Sequence, residues 1–315
     1  MILVTGATGF VGRALVKRLV ADRISTGVIV AMRRIGDVCD GAQPILVGDL
    51  LSSTDWRLAL NGIKAVVHCA ARVHVMNDTS KTPLEEYRQV NVRGTLNLAL
   101  QAAKAGVRRF IFVSSIKVNG EATLLNHPFT ADDLPAPIDP YGVSKLEAEK
   151  GLLEIELCTG MEVVIIRSPI VYGPGVKANF ASMLIWVARG LPLPLGHIQN
   201  LRSFVALDNL VDLLVTCLTH PAAAGQTLLV SDGEDISTTE LVRRTGQAMG
   251  KKVLLIPLPA SLLKIGSAFL GKEVMMQRLC DSLQVDIEKT RSLIGWNPPI
   301  TLDQGLMKAV EGMKS

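Results

Sequence analysis

From residue 2 to about residue 167, short β-branched runs alternate with longer segments whose apolar residues recur every three or four positions. The runs at 2–5, 27–31, 44–47, 64–68, 109–113 and 162–167 are predicted strands, since they are short, apolar and bounded by turn residues. The segments at 10–21, 53–60, 84–105 and 140–159 are predicted helices. The third of these carries Leu84, Tyr87, Val90 and Leu98 among polar neighbours, as a half-buried helix should. Strand and helix alternating in this way predict an α/β fold, a doubly wound parallel sheet with crossover helices.

Beyond residue 168 the rhythm breaks. Pro169, Pro174, Pro192, Pro194, Pro221, Pro257, Pro259, Pro298 and Pro299 punctuate the chain, and such spacing leaves room only for short helices and short strands. The expected organisation is a nucleotide-binding unit over 1–167 and a smaller, mixed substrate lobe over 168–315. No repeat or long linker separates the two, so they should share one cleft.

Composition narrows the classes. With 48% hydrophobic and 20% charged residues the chain has a globular make-up, and no apolar run is long enough to span a bilayer; no membrane partner is expected, and Leu262 to Leu270 is read as a packed helix. A strand that begins at Ile2 leaves no space for a secretory leader, which predicts a cytoplasmic protein. The net charge of +4 is too slight and dispersed for a nucleic-acid partner. Cys39, Cys69, Cys158, Cys217 and Cys280 are odd in number and widely spaced, against disulfides or structural zinc. His68, His74, His127, His197 and His220 lack metal-ligand spacing, so no metal is expected.

The first strand runs into Thr5-Gly6-Ala7-Thr8-Gly9-Phe10-Val11-Gly12, followed by an amphipathic helix. Glycines spaced Gly-x-x-Gly-x-x-Gly between a strand and a helix allow a tight turn and the close approach of a pyrophosphate to free helix amides. A Rossmann-type dinucleotide site is predicted, with Gly6, Thr8, Gly9, Phe10, Val11 and Gly12 in contact. An acidic residue at the end of the second strand would hold the adenosine ribose, but this chain has Arg33-Arg34 there. Two guanidiniums suit a 2′-phosphate, so NADP(H) is favoured and NAD(H) is the alternative. Asp49, with Leu50 after it, either accepts from the adenine amino group or caps a helix.

Asp139-Pro140-Tyr141-Gly142-Val143-Ser144-Lys145 has the marks of a helix start: a capping carboxylate, then proline at the first helical position. Tyr141 and Lys145 then share a face. An ammonium beside a phenol should lower the phenol's pKa and make it a proton donor and acceptor near neutrality. The fifth predicted strand leads into Ser114-Ser115, at the strand edge where ligands sit in doubly wound sheets. Ser115 is the candidate hydroxyl against a substrate oxygen and Ser114 its neighbour on the cofactor side.

With Gly6, Gly9 and Gly12, His68-Cys69-Ala70-Ala71, Asn91-Val92-Arg93-Gly94-Thr95, Ser114-Ser115, Tyr141 with Lys145, Arg167, Val171-Tyr172-Gly173-Pro174 and Gly295-Trp296, the chain resembles the extended short-chain dehydrogenases, in their nucleotide-sugar branch, almost end to end. The resemblance implies that Ala70, Ala71, Asn91 and Ser168 approach the cofactor and that Lys145 holds its ribose. It also implies a homodimer formed through the helices near 84–105 and 140–159. Arg202 matches the usual pyrophosphate contact for a UDP-sugar, with Asn179 and Arg278 as further candidates, and the run through Leu195 would offer backbone groups to the uracil.

Sugar-nucleotide dehydratases of this branch carry an Asp-Glu pair after the hydroxyl residue, where this chain has Ile116-Lys117. Lys117 is therefore taken as a substrate contact, and dehydration is not expected. Epimerases usually have Val-Tyr-Gly where this chain has Val118-Asn119-Gly120, a departure that favours a different reaction. The run from Val113 to Glu121 and from Pro128 to Asp133 is similar to bacterial O-antigen enzymes. That likeness implies NAD(P)H-dependent reduction of the 4-keto group of a UDP-linked 6-deoxy-N-acetylhexosamine. The alternatives are a UDP-sugar 4-epimerase and a non-catalytic dinucleotide-sensing protein.

Overall fold

The computed structural model describes residues 1–34, 36, 39–73, 82–259, 262–263 and 273–313. His74 and most of the apolar stretch from Leu262 to Leu270 lie outside the described residues. The strands are β1 (Ile2–Thr5), β2 (Val28–Met32), β3 (Ala42–Leu46), β4 (Ala65–His68), β5 (Arg109–Ser115), β6 (Glu162–Ser168), β7 (Ile170–Tyr172), β8 (Arg202–Ala206), β9 (Thr227–Leu229) and β10 (Asp235–Ile236). The helices are α1 (Phe10–Ala21), α2 (Pro83–Tyr87), α3 (Thr95–Lys104), α4 (Pro140–Thr159), α5 (Ala178–Ala188), α6 (Leu207–Thr219), α7 (Thr238–Ala248), α8 (Glu273–Cys280), α9 (Glu288–Ile294) and α10 (Leu302–Glu311).

Seven strands form one sheet in the order β3-β2-β1-β4-β5-β6-β9, with every pairing parallel. Alternate residues feed two cores. Ile2, Val4, Val30, Val67, Ile111 and Val164 pack to one side, with α1 and α6. Leu3, Ile29, Val66, Phe110, Phe112 and Val163 pack to the other, with α3 and α4. Both faces being covered explains why these strands read as continuous apolar runs. The order reverses between β1 and β4, so the ligand crevice lies at their C-terminal ends.

The second sheet is small and mixed: β7 pairs with β8 in parallel and β8 with β10 antiparallel. Strand β9 and helix α6 come from beyond residue 167 yet complete the main sheet and its helical layer. The chain therefore crosses between the lobes more than once, and the nucleotide-binding layer is not contiguous in sequence.

Two expected helices differ. Residues 53–60 form turns, because Thr54 Oγ1 donates to the Asp49 carbonyl, and the side-chain amides of Asn97 and Gln101 donate to the Thr54 carbonyl. Such side-chain bonds occupy the backbone groups that a helix would use. The segment expected as one helix over 84–105 is α2 and α3 joined by a π-helical stretch, Arg88–Gly94. Asn91 lies in that stretch, where the wider turn lets a buried polar side chain reach outside its own helix.

Candidate active site

The phosphate cradle is built by close backbone approach. Gly6 has φ 69°, and a Cβ there would lie 2.7 Å from the Ala70 amide nitrogen; a Cβ on Gly12 would lie 2.2 Å from the Gly6 carbonyl oxygen. Only glycine lets β1, the end of β4 and α1 meet. Helix α1 starts at Gly9 with no side-chain cap and no acidic residue in its first turn. Its first amides are left to an anion, which is what a dinucleotide pyrophosphate requires. Beside the loop opens a cavity of about 210 Å³ whose lining includes Ala7, Thr8, Arg13, Met32 and Cys39. Phe10, Val11, Ala70 and Ala71 are half-buried around the loop, so these residues fit NAD(P).

The adenosine end is less selective than expected. Arg33 is exposed and approaches Asp49 at 3.8 Å, while Arg34 is exposed. A pair this open contributes little by itself, but it brings the 2′-phosphate and adenine candidates to one place. Leu50 is buried in the second core.

Ser115 ends β5 in register with Ser168 on β6, and its Oγ accepts from the Lys117 amide at 3.3 Å, capping the turn that follows. Asp139 caps α4, accepting from the Gly142 amide at 2.7 Å. The start of α4 lies hard against that turn: a Cβ on Gly142 would be 2.8 Å from the Lys117 carbonyl oxygen. Tyr141 is thereby set beside the strand that carries Ser115. Lys145 is buried and donates to the Val113 carbonyl at 2.8 Å, with its Nζ 4.3 Å from the Phe112 ring centroid and 6.0 Å from that of Tyr141.

The electrostatics correct one expectation. Burial pushes the Tyr141 phenol above its ordinary pKa, with Asp139 and Tyr87 adding to the rise, and the lowering expected from the ammonium is not seen. Burial lowers Lys145 to about 8, and Glu149 works against that fall. Glu149 itself is buried and forms an ion pair with Arg167 at 2.6 Å, and it accepts from Ser114 Oγ at 2.5 Å. Ser114 is thus engaged by this buried pair, on the face of β5 opposite to that of Ser115.

Sequence reasoning missed this buried network. Glu149 stands one helical turn beyond Lys145, a spacing that could have revealed it. Asn119 belongs to the same network: its Oδ1 accepts from Arg167 at 3.0 Å and its Nδ2 donates to the Thr130 carbonyl at 2.9 Å. The residue that departs from the epimerase pattern is thus a buried member of this network. His68 was also missed; it bonds Thr5 and Thr95 through its two ring nitrogens, at 2.7 and 2.9 Å. Burial lowers its pKa to about 3, so it ties β1, β4 and α3 together as a neutral ring.

Asn91 is buried and donates to Ser144 Oγ and to the Arg72 carbonyl, both at 3.0 Å, while its Oδ1 accepts from the Arg72 amide at 2.8 Å. It joins the loop after β4 to the helix bearing Tyr141 and Lys145. Lys117 forms ion pairs with Asp139 and Glu121, and these carboxylates compete with any substrate contact. Burial would raise Asp139, but the bonds from Lys117 and the Gly142 amide outweigh it and hold the carboxyl below its usual range.

Of the expected UDP contacts, Arg202 and Arg278 come together. Arg202 is buried, donates to the carbonyls of Arg278 and Asp281 at 2.7 and 2.9 Å, and is lowered to about 10 by burial, with the charge of Arg278 contributing to the fall. The Arg202 guanidinium therefore sits against the Arg278 backbone and feels the charge of its side chain, and a second cation nearby suits an anionic ligand. Asn179 is exposed in the first turn of α5. Leu195 is packed in the lobe's core and its carbonyl accepts from Thr239 Oγ1 at 2.6 Å. Among the described residues no group of His, Cys, Asp and Glu could hold a metal, and no helix is long and apolar enough to cross a membrane.

Known proteins share this arrangement. The chain is 51% identical to a UDP-glucose 4-epimerase from Vibrio cholerae over 98% of its own length and 94% of the relative's. It is 29% identical to an N-acetyl-alpha-D-glucosaminyl-diphospho-ditrans,octacis-undecaprenol 4-epimerase from Escherichia coli O157:H7, over 98% and 94%. Among solved structures, MoeE5 in complex with UDP-glucuronic acid and NAD superposes with a TM-score of 0.78 at 29% identity, covering 99% of this chain and 98% of that one. The sequence model of one family spans residues 2–231, across the glycine loop, Ser115, Tyr141 and Lys145. On that match and on a relative identical at half its positions, the chain belongs to the NAD dependent epimerase/dehydratase family.

Proposed function

We propose that the protein interconverts a UDP-linked hexose or N-acetylhexosamine with its C4 epimer. The observation that carries this reading is the 51% identity to a UDP-glucose 4-epimerase over nearly the full length of both chains.

The nicotinamide cofactor, when bound, supplies the hydride acceptor and donor. Tyr141 takes the proton of the C4 hydroxyl and returns it to the alkoxide that forms on the opposite face. Ser115 hydrogen-bonds the same oxygen. Lys145, one helical turn beyond Tyr141, holds the ribose hydroxyls, with Glu149 sustaining its charge. Arg202 and Arg278 hold the diphosphate, the group that a nucleotide-linked and a lipid-linked sugar have in common.

Reduction of a 4-keto sugar is the second reading. It is favoured by the cationic mouth of the adenosine site, where Arg13 lines the cavity and Arg33 and Arg34 stand exposed, since NADP(H) suits an enzyme that consumes its cofactor. Incubation of the pure protein with UDP-glucose and with UDP-N-acetylglucosamine, without added cofactor, decides between them. Appearance of the 4-epimer by proton NMR is expected. NADPH consumption with a UDP-4-keto-6-deoxy sugar, and no epimer from either substrate, would replace epimerisation by reduction.

A further inference from the structure

The substrate lobe carries a face that the catalytic reading does not use. At the C-terminal end of α5, Ile185, Trp186 and Leu191 are exposed. The chain over 251–256 lies alongside, because the Leu193 amide donates to the Leu254 carbonyl and the Ile256 amide to the Leu193 carbonyl, at 2.9 and 2.8 Å. Side chains there alternate: Val253 and Leu255 pack into the lobe's core, while Leu254, 62% exposed, and Ile256 turn outward with Lys252. A strand face of this kind ordinarily turns polar residues to water.

The charges around it have one sign. No Asp or Glu occurs between Glu162 and Asp208, nor between Glu240 and Glu273, the two stretches that build the face. Arg189, Lys251 and Lys252 are exposed on it, and the Lys251 ammonium is anchored on the Ala188 carbonyl at the end of α5. Apolar side chains including a tryptophan, on segments that carry cations and no carboxylates, match the interface of an anionic bilayer, where apolar groups enter the headgroup boundary and cations meet lipid phosphates. We infer that this face, centred on Trp186, Leu254, Ile256 and Lys252, docks the protein on an anionic membrane surface. The expectation of no membrane partner rested on the lack of a spanning segment, and a surface contact needs none. The inference does not depend on which sugar is turned over.

Tryptophan fluorescence reads it directly, since Trp56 and Trp296 are 2% and 5% exposed and Trp186 38%. The full chain is mixed at low ionic strength with phosphatidylglycerol–phosphatidylcholine vesicles and with phosphatidylcholine vesicles alone. Co-sedimentation and a blue shift in emission are expected with the first and not the second. Lys252→Gln should weaken binding roughly fivefold, the worth of one cation at such a surface, and Leu254→Asp with Ile256→Asp should abolish it. Lys252→Gln should keep wild-type turnover of soluble substrate, which shows that its loss of binding is not unfolding. Absence of binding to phosphatidylglycerol vesicles would overturn the inference, as would binding that ignores these substitutions. So would a self-association that the double variant disperses, since the face would then be an interface between copies of the chain.

Discussion

At the scale of single residues four side chains carry sharp expectations. Tyr141→Phe removes the proton carrier alone and should lower turnover by about 10²- to 10⁴-fold with the fold intact by circular dichroism. Lys145, held at about 8 by burial, loses its charge as pH rises through that value, so turnover should fall on the alkaline side of about pH 8. Glu149 favours the charged form, and Glu149→Gln should move that limb to lower pH, as a pH–rate profile would show. His68 makes the opposite demand on stability. Its pKa of about 3 lies below the ordinary 6.5, so the unfolded chain binds the proton first and stability should drain away as pH falls below 6.5. Denaturant midpoints should decline more steeply over that range for the wild type than for His68→Gln.

At the scale of elements, what was legible in the sequence was what a local pattern sets. Helix α4 begins at Pro140 and ends at Thr159 as expected because Asp139 caps it and Gly160 closes it in the left-handed conformation, both residue-level signals. Six strands were found within a residue or two, and for all but the edge strand β3 the reason is similar: burial on both faces makes them plainly apolar. The turns at 53–60 were not legible, since they depend on Asn97 and Gln101, more than thirty residues further on. Neither was the π-helical stretch, whose partner Ser144 is remote from Asn91 in sequence. Tyr141, Lys145, Ser115 and the glycines were marked by motif, whereas Glu149, Arg167 and Asn119 act through each other and could be joined only in space. Asn91→Ala should leave the Arg72 backbone and Ser144 short of partners and cost about 1–3 kcal/mol of stability by urea unfolding. Gly12→Ala places a Cβ against the Gly6 carbonyl and should weaken NAD binding by roughly tenfold or more while leaving the strands in place.

At the scale of the whole molecule, the two lobes are braided by β9 and α6, which places Arg202 on β8 and Ser115 on β5 on one continuous framework. The homodimer expected from the resemblance has support in Leu100, Leu153 and Leu157, which are exposed on α3 and α4; sedimentation velocity should show a dimer that Leu157→Asp disperses. The central claim is that one hydrogen leaves C4 of the sugar and returns to that carbon from the protein's own crevice, with Tyr141 moving the proton. UDP-glucose carrying deuterium at C4, incubated without added cofactor and followed by mass spectrometry and NMR, tests it most directly. The account predicts UDP-galactose that keeps the deuterium at C4; an epimer that has lost the label to solvent, or no epimer at all, would contradict it.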